Sequence, residues 1–135
     1  MKKFVDVESP YMAETEEKQR KNLLYARACI RDCLLRGEIP FCSHLFYTQP
    51  GILDDNIPEE REKGINVGKE LMKAIPETIT VVYTDLGISE GMQYGINKAK
   101  EKGQKIEHRK LEENWEERES KIAKKHSHAK IWGFF

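Results

Sequence analysis

Three loops of this chain combine residue types that bind sugars, bases and phosphates. They are Ser9-Pro10-Tyr11, His44 to Asp55, and Thr84 to Gly91, and each follows a β-prone run. Aromatic rings stack on bases, and carboxylates accept hydrogen bonds from ribose hydroxyls. In an open parallel sheet, ligands bind beyond the carboxyl ends of the strands. The three loops together predict one pocket for a nucleotide-like ligand.

The third loop has the features of a phosphate site. Gly87 permits a tight turn, Ser89 is a good helix N-cap, and Gly91 leaves the first helical turn open to close approach. Unpaired backbone N–H groups at such a helix start bind anions. Asp85, at the strand end, has two interpretations, contact with a sugar or a role in holding the loop. Met92 belongs to the same predicted site.

The middle loop is long for a strand-to-helix connection, and its imidazole, aromatic and acidic residues argue against disorder. Phe46 and Tyr47 are candidates to stack on a base, and Asp54 or Asp55 to accept hydrogen bonds from ribose hydroxyls. In an alternative interpretation, Phe46 packs the loop onto the core, and the two aspartates cap the next helix.

Isolated polar residues give weaker evidence for a binding site than the three loops do. Arg20 and Arg61, near the starts of two predicted helices, are candidates for phosphate contact or for solvated surface positions. The His126-Ser127-His128 segment contains a metal-binding residue type, but no cysteine or acidic cluster accompanies it. The sequence therefore predicts neither a metal site nor a cofactor, and no Ser-His-Asp or Cys-His catalytic order is evident.

Strands and helices alternate along the chain, and this alternation must position the loops. The predicted strands are residues 4–7, 39–42, 78–83 and 105–108, and the predicted helices start at Thr15, Pro58 and Ser89 and end near Gly37, Pro76 and Gly103. Such an order predicts a parallel sheet with right-handed crossovers. We expect a three-layer α/β fold with a Rossmann- or flavodoxin-like sheet of four or five strands, residues 78–83 in its middle and 105–108 at an edge.

The C-terminal part has a different composition. Residues 112–125 form a charge-dense predicted helix that contains Trp115, and an aromatic tail over residues 131–135 follows. We divide the chain into a domain over residues 1–110 and a helix and tail over residues 111–135. The helix is either solvated, or its tryptophan and the tail pack on a second subunit, because an exposed aromatic run is a liability in a monomer. A homo-oligomer is expected.

Composition excludes several classes of protein. The 135 residues include 23 Lys and Arg and 23 Asp and Glu, so the chain lacks the positive field that general nucleic-acid binders use. No apolar run is long enough for a membrane span, and no leader pattern is present. Cys29, Cys33 and Cys42 are interpreted as small buried thiols. We expect a soluble cytoplasmic protein without a membrane partner.

Residues 4 to 109 resemble the small nucleoside 2-deoxyribosyltransferase-like domains found in phages and other bacterial mobile elements. The matching motifs are Ser9-Pro10-Tyr11, Pro40-Phe41 before His44-Leu45, Leu53-Asp54-Asp55, Pro58-Glu59-Glu60-Arg61 with Gly64, and Ile88-Ser89-Glu90-Gly91-Met92. The resemblance implies a nucleoside or nucleotide ligand and, in the enzymes of that superfamily, cleavage or exchange of an N-glycosidic bond.

The resemblance fails at one position. Those enzymes carry a nucleophilic glutamate early in the third helix, and alignment on Ser89-x-Gly91 places Gly95 there, whereas alignment on Asp85-x-Gly87 places Gly91 there. Glycine cannot attack an anomeric carbon. Glu90 is one residue off register, about 100° around a helix.

Two hypotheses follow for the function. In the first, the chain is a non-catalytic nucleotide-binding protein, such as a phage-type sponge that sequesters an immune signal like a cyclic ADP-ribose isomer. In the second, Glu90, Asp54 or Asp55 supplies the carboxylate of an N-glycosidase or (deoxy)ribosyltransferase. A plain protein-interaction module is a third class, which leaves the loops unexplained. The predicted ligand-binding residues are Ser9, Pro10, Tyr11, Arg20, His44, Tyr47, Asp54, Asp55, Arg61, Asp85, Gly87, Ser89, Gly91 and Met92.

Overall fold

The computed structural model describes residues 2–75 and 77–126. Within them the chain forms strands β1 (Phe4–Glu8), β2 (Ile39–Phe41), β3 (Ile79–Tyr83) and β4 (Ile106–Arg109). The helices are α1 (Glu16–Leu35), α2 (Ser43–Phe46), α3 (Pro58–Ala74), α4 (Glu90–Glu101) and α5 (Trp115–Lys125). The elements follow the predicted alternation, with α2 as an addition between β2 and α3.

The strands form one parallel sheet in the order β2-β1-β3-β4. β1 lies inside the sheet, with Val5 opposite Pro40 of β2 on one side and opposite Ile79 of β3 on the other. β3 is an inner strand that is buried along its whole length, and β4 is at the edge, as predicted. The predicted three-layer Rossmann-like α/β fold is confirmed, with four strands. Its strand order reverses at β1, where ligands bind in folds of this type.

Helices cover both faces of the sheet. On one face, α1 and α5 pack over Val5 and Val81 in the main hydrophobic cluster. On the other face, Met92 and Ile96 of α4 pack on Val82. The α3 helix packs mainly against α2. The sheet therefore has one face closed by a continuous apolar core and another face closed by α4 alone over part of its width.

Local sequence signals account for the helix ends. The Thr15 hydroxyl accepts a backbone hydrogen bond at 3.2 Å in the first turn of α1, and Gly37 has the positive φ of +80° that lets the chain leave this helix. Pro58 is at the first position of α3, where no N–H is needed. Ser89 caps α4 through its hydroxyl. These predicted starts are confirmed, whereas Pro76 lies outside the described residues.

Two helix predictions were wrong in detail. The predicted non-periodic loop begins with the short helix α2, whose first turn closes when the Cys42 carbonyl accepts hydrogen bonds from the Leu45 and Phe46 N–H groups at 3.1 Å. Four residues are too few to show a helical period. The α5 helix begins at Trp115 and not at Glu112, because the Glu112 carbonyl closes a turn with the Trp115 N–H at 3.0 Å.

The α5 helix is part of the main core. Trp115 is 7% exposed, and its ring packs edge-on against Tyr25 of α1 with 5.0 Å between ring centroids. Leu111 joins the same cluster. The fully solvated helix that was one of the two expectations is therefore wrong, since α5 buries its tryptophan within its own chain. The other expectation was that Trp115 and the aromatic tail pack on a second subunit. It is wrong for Trp115, which packs on Tyr25 of its own chain, and the tail lies outside the described residues.

The same face of the sheet contains a buried ion pair. The Arg109 guanidinium donates two hydrogen bonds to the Glu38 carboxylate, at 2.7 and 2.6 Å, and both side chains are at least nine-tenths buried. Arg109 also donates to the Tyr83 hydroxyl at 3.4 Å, which in turn donates to Asp32 at 2.6 Å. Opposite charges and bidentate geometry compensate the burial of each charge.

The cysteine prediction is confirmed, since Cys29, Cys33 and Cys42 are all buried and free. Burial raises the pKa of each thiol, so none is a reactive thiolate. None of the helices in the described part of the chain combines the length and the apolar character that a bilayer span needs.

Candidate functional site

A cavity of about 700 Å³ opens at the carboxyl end of β1, between that strand and the helices α3 and α4. It lies where the strand order reverses, as expected for a ligand site in this fold. Its volume suits a small organic ligand. The predicted site residues that line it are Ser9, Tyr11, His44, Asp55, Arg61, Ser89, Glu90, Gly91 and Met92.

Other predicted residues lie elsewhere. Asp85 is on the α1 side of the sheet, where it accepts hydrogen bonds from the Tyr25 hydroxyl at 2.6 Å and from the Leu111 N–H at 3.0 Å. Of its two interpretations, the structure therefore places it in the role of holding the loop. Gly87 has a φ of +84° and forms the predicted turn outside the cavity lining.

The remaining candidates do not line this cavity. Arg20 is exposed and pairs with Glu16 at 3.7 Å. The Tyr47 ring packs edge-on against Phe46, with 4.9 Å between centroids, so the loop's aromatic pair contacts itself. Asp54 lies in an adjoining cavity of about 540 Å³, which shares Tyr11, Met12 and Asp55 with the larger one. Pro10 is buried and does not line either cavity.

Two carboxylic acids of β1 form the inner wall of the cavity. Val5 and Val7 face the main core, so the alternation of the strand turns Asp6 and Glu8 toward α3 and α4. Neither carboxyl forms a hydrogen bond or an ion pair with any residue in 2–75 or 77–126. Burial raises the pKa of Asp6 to about 7, partly offset by the charge of Lys102. Burial and the neighbouring Asp6 raise the pKa of Glu8 well above its usual value.

The Glu8 carboxylate lies directly against the backbone of α4 at Gly95. A Cβ atom built on this glycine would be 2.6 Å from the carboxyl carbon of Glu8 and 2.8 Å from Oε2, far inside contact distance. Any side chain at position 95 would displace the carboxylate. Glycine in the middle of α4 therefore makes the space that a carboxylate from β1 occupies.

A neutral histidine, His44, lines the cavity. Burial lowers the pKa of His44 to about 4, so the ring is uncharged at neutral pH. Its Nε2 lies 3.3 Å from the Ser9 hydroxyl, and the ring packs at 5.2 Å from that of Tyr11. The Cys42 thiol lies 3.4 Å from the same nitrogen. The tyrosine and histidine rings form an aromatic wall, and the neutral ring can accept a hydrogen bond from serine.

Positive charge lines the outer part of the cavity. Arg61 comes from the first turns of α3, and Lys69 and Lys98 flank the exposed Tyr94 ring at 5.3 and 5.4 Å from its centroid. The Lys69 ammonium also donates to the Tyr94 hydroxyl at 3.1 Å, which lowers the pKa of that phenol. These cations face the same space as the two acids of β1.

The N-terminus of α4 opens into the cavity as predicted. Ser89 uses its hydroxyl to accept from the Met92 N–H, and its own N–H faces the Met92 sulfur at 3.4 Å. A Cβ on Gly91 would meet only the Ser89 hydroxyl, at 4.0 Å, so the first turn is open. The 12-residue helix directs its positive end here.

Cavity residues that the sequence did not indicate include Asp6, Glu8, Lys69, Lys98 and Tyr94. A signal for the first two was present. An inner strand of a parallel sheet is covered on both faces and is normally apolar on both, so two acids on one face of β1 are anomalous. The alternation of these acids with valine predicts a strand and, taken alone, does not indicate a site. The residues of α3 and α4 have no such signal, because exposed and cavity-facing lysines look alike in a helix.

No cluster of three or more potential metal-ligating side chains occurs in the described ranges, and residues 127 and 128 of the disfavoured histidine segment lie outside them. The cavity is therefore a site built from carboxylates, cations, aromatic rings and a helix N-terminus.

Comparisons with known proteins bear on the family alone. No protein of curated function and no solved structure is significantly similar to this chain. One family model matches residues 3–109, from β1 to the end of β4, and thus includes every residue of the cavity. The chain belongs to this family, which is described as a domain of unknown function, DUF7768.

Proposed function

We propose that this protein binds a nucleoside phosphate or a related ribose-phosphate ligand in the β1–α4 cavity. The observation that carries the proposal is the order of polar groups along α4. Its open N-terminus comes first, the Glu8 carboxylate follows at Gly95, and Lys102 with Asp6 comes last. A ligand that matches this order has an anionic end and a polar, uncharged middle.

Two kinds of group support the proposal that the cavity binds a phosphate. The first turn of α4 offers N–H groups at Glu90 and Gly91 that form no backbone hydrogen bond within the described residues. Arg61 and Lys69 approach from α3 across the cavity. A helix N-terminus together with cationic side chains is a common phosphate-binding arrangement.

The groups of the inner wall support the proposal that the cavity binds a sugar and a base. Carboxylates accept hydrogen bonds from hydroxyl groups, and Glu8 and Asp6 have unused acceptor capacity. The rings of Tyr11 and His44 provide a surface for the face of a sugar or a base. Asp55, at the rim beside Arg61, is a further hydroxyl acceptor.

Binding without reaction is one form of this function. The chain would then sequester its ligand, as a phage-type sponge sequesters a nucleotide immune signal such as a cyclic ADP-ribose isomer. Its support is the resemblance and the glycine at position 95. Sequestration requires tight binding and return of an intact ligand.

The test is incubation with a panel of nucleotides, deoxynucleotides and cyclic ADP-ribose isomers, followed by calorimetry and by heat release with chromatography. We expect one ligand class to bind and an Arg61→Ala variant to bind it at least about tenfold more weakly. Glu113→Gln, an exposed position before α5, is the control with unchanged affinity. Absence of binding by every member of the panel would refute the proposal.

A second candidate function is cleavage or transfer of an N-glycosidic bond. The specific observation in its favour is that the cavity contains carboxylates despite the glycine at position 95. Such reactions use a pair of carboxyl groups that flank the anomeric carbon. Free base released over many turnovers would identify this function, whereas an intact ligand would identify sequestration.

A further inference from the structure

We propose that Glu8 binds the ligand as an uncharged carboxylic acid, which donates a hydrogen bond to an oxygen of the sugar phosphate. The site then loses affinity where this side chain becomes a carboxylate, because a second negative charge lies near the phosphate. This inference rests on the proposed function and concerns which protonation state of the cavity the ligand selects. It makes Glu8 a hydrogen-bond donor to the ligand and a determinant of specificity.

The first argument is the position of the Glu8 carboxyl group. A Cβ atom on Gly95 would be 2.6 Å from the carboxyl carbon, so the group lies against the middle of α4. Backbone N–H groups inside a helix already donate to carbonyls one turn earlier. The helix therefore offers Glu8 no donor, and its carboxyl group forms no hydrogen bond within residues 2–75 and 77–126. Such surroundings favour the form of the carboxyl group that has no charge.

The second argument is that cations of the cavity wall have other neighbours. Lys69 donates to the Tyr94 hydroxyl at 3.1 Å, and the Lys98 ammonium lies 3.4 Å from the Glu101 carboxylate. Neither lysine forms an ion pair with Glu8. The positive charge that would compensate a Glu8 carboxylate is therefore directed to other groups.

The third argument is the neighbouring acid. Asp6 is two residues earlier on the same face of β1, and the charge of Lys102 acts on it. Two carboxylates on one face of a strand repel each other, so the first charge is on the acid that a cation compensates. Burial and the charge of Asp6 raise the pKa of Glu8 well above its usual value, whereas the pKa of Asp6 is about 7. Asp6 therefore ionises first, and the proton stays on Glu8.

An anionic ligand fits the protonated form of Glu8. The proposed phosphate site is the first turn of α4 together with Arg61, and Gly95 follows Glu90 by about 7.5 Å along the helix axis. At such a separation a Glu8 carboxylate would repel the phosphate. A carboxylic acid has no charge, and its O–H donates to a phosphate or sugar oxygen. Its carbonyl oxygen remains an acceptor for a ribose hydroxyl.

A linkage between binding and protonation follows from this arrangement. A ligand that selects the protonated form keeps the proton on Glu8, so binding takes up a proton at any pH where the free protein has lost it. Ligand affinity then falls as the pH rises through the pKa of Glu8 in the free protein. A Glu8 carboxylate that accepts hydrogen bonds from the ligand would give the opposite sign, with an affinity that rises with pH.

Other ionisable groups line the same cavity and also change charge with pH. They are Asp6 on β1, His44 on α2, Arg61 and Lys69 on α3, Glu90, Tyr94, Lys98 and Lys102 on α4, and Tyr11 and Asp55 in the loops. A phosphate monoester itself changes charge near about pH 6. All these groups are the same in the wild type and in Glu8→Gln, so the difference between the two proteins reports on Glu8 and its coupling with Asp6.

The experiment measures affinity and proton uptake on the full chain by calorimetry from about pH 6 to about pH 9, with ribo- and 2′-deoxynucleoside 5′-monophosphates as probes. Buffers of different ionisation enthalpy give the number of protons taken up per ligand. At the lower end of this range we expect Glu8→Ala to bind at least about tenfold more weakly than the wild type. Glu8→Gln should stay within about threefold, because its amide donates a hydrogen bond without a charge. Glu113→Gln is the matched control, since it removes an exposed carboxylate outside the cavity.

The pH profiles test the sign of the linkage. We expect the affinity of the wild type relative to Glu8→Gln to fall by at least about tenfold toward the upper end of the range, with more protons taken up per ligand by the wild type. Asp6→Asn removes a charge that keeps the proton on Glu8. In that background, compared with the double variant Asp6→Asn with Glu8→Gln, the fall should begin at a lower pH. A merely structural role of Glu8 would change neither the proton count nor the pH at which the fall begins.

Other results would overturn the inference and leave the proposed function in place. If Glu8→Gln binds as weakly as Glu8→Ala, or if the relative affinity of the wild type rises with pH, Glu8 acts as a carboxylate. If Glu8→Ala binds as tightly as the wild type, Glu8 does not contact the ligand. A relative affinity that is constant with pH in both backgrounds would show that ionisation of Glu8 does not control the site. If no probe binds to the wild type, the proposed function fails together with this inference.

Discussion

The two faces of the sheet treat buried charge in opposite ways. On the face covered by α1 and α5, the Arg109 guanidinium and the Glu38 carboxylate form two hydrogen bonds of 2.7 and 2.6 Å, and the main apolar core lies on the same face. On the face covered by α3 and α4, Asp6 and Glu8 form no hydrogen bond and no ion pair within the described residues, and they border a cavity of about 700 Å³. The first arrangement serves stability. The second opposes it, which is why we assign it to ligand chemistry.

The largest expected effect is on the face of the sheet that contains the Arg109–Glu38 ion pair. Replacing Arg109 with Met leaves Glu38 buried without its partner, and we expect the free energy of unfolding to fall by about 3–5 kcal/mol. Urea denaturation monitored by tryptophan fluorescence measures it. The double variant Arg109→Met with Glu38→Leu should recover most of the loss. If the single variant is as stable as the wild type, the ion pair is not what holds β4 to the rest of the sheet.

Substitution of Asp85 tests whether its hydrogen bonds on the same face fix the connection between β4 and α5. Asp85→Ala removes the acceptor of the Tyr25 hydroxyl and of the Leu111 N–H, so we expect a loss of about 2–3 kcal/mol in unfolding free energy. Because the residue is outside the cavity, ligand affinity should stay the same at temperatures where the variant is folded. A weaker affinity with unchanged stability would return Asp85 to the ligand site.

Substitution of Gly95 tests the contact between α4 and the Glu8 carboxyl group of β1. Gly95→Ala puts a methyl group into the Glu8 carboxylate, and we expect a loss of about 1–3 kcal/mol in stability together with loss of ligand binding. For stability alone, Gly91→Ala is the control at an open position of the same helix, where alanine should stabilise. Adding Glu8→Ser to Gly95→Ala should restore stability but not binding.

The smallest effect is on the pH dependence of stability without ligand. The folded pKa of Asp6, about 7, exceeds its unfolded value, so the folded state binds the extra proton and Asp6 makes stability fall as pH rises from about 4 to about 7. His44 acts in the opposite direction over part of this range, because its folded pKa is lowered to about 4. His44 contributes equally to the free energy of unfolding of the wild type and of Asp6→Asn, so its contribution cancels in the difference between the two proteins.

That difference should move in favour of the variant as pH rises and level off above about pH 7. Denaturation midpoints measured at half-unit intervals would show it. Charged groups that line the same cavity include Glu8 on β1, Arg61 and Lys69 on α3, and Lys98 and Lys102 on α4, and none of them is changed in this comparison. A flat difference across the range would mean that Asp6 is ionised in the folded protein.

The sequence predicted the parts of this molecule that depend on local patterns. The β-branched run of β3, the cap residues Thr15 and Ser89, and the proline that starts α3 are local signals, and the fold class follows from their order. Of the predicted site residues, Tyr11, His44 and Ser89 line the cavity near the strand ends.

The remaining features depend on distant contacts. Glu8 and Gly95 are far apart in the sequence, and only the packing of α4 on β1 shows that the absence of one side chain makes room for another. Likewise, Trp115 was predicted to be solvated or to pack on a second subunit, because the sequence does not show that α1 presents Tyr25 to it. The proposed homo-oligomer stays a prediction.

The packing of α3 has a consequence for the dynamics of the protein. Because this helix is held mainly by α2, with the cavity between it and the sheet, separating it from the domain exposes less apolar surface than separating α1. A ligand in the cavity would supply the missing layer between α3 and β1. The binding free energy of the ligand then adds to the free energy of local unfolding of residues 58–74. The backbone amide hydrogens of α3 therefore exchange most slowly when the ligand is bound.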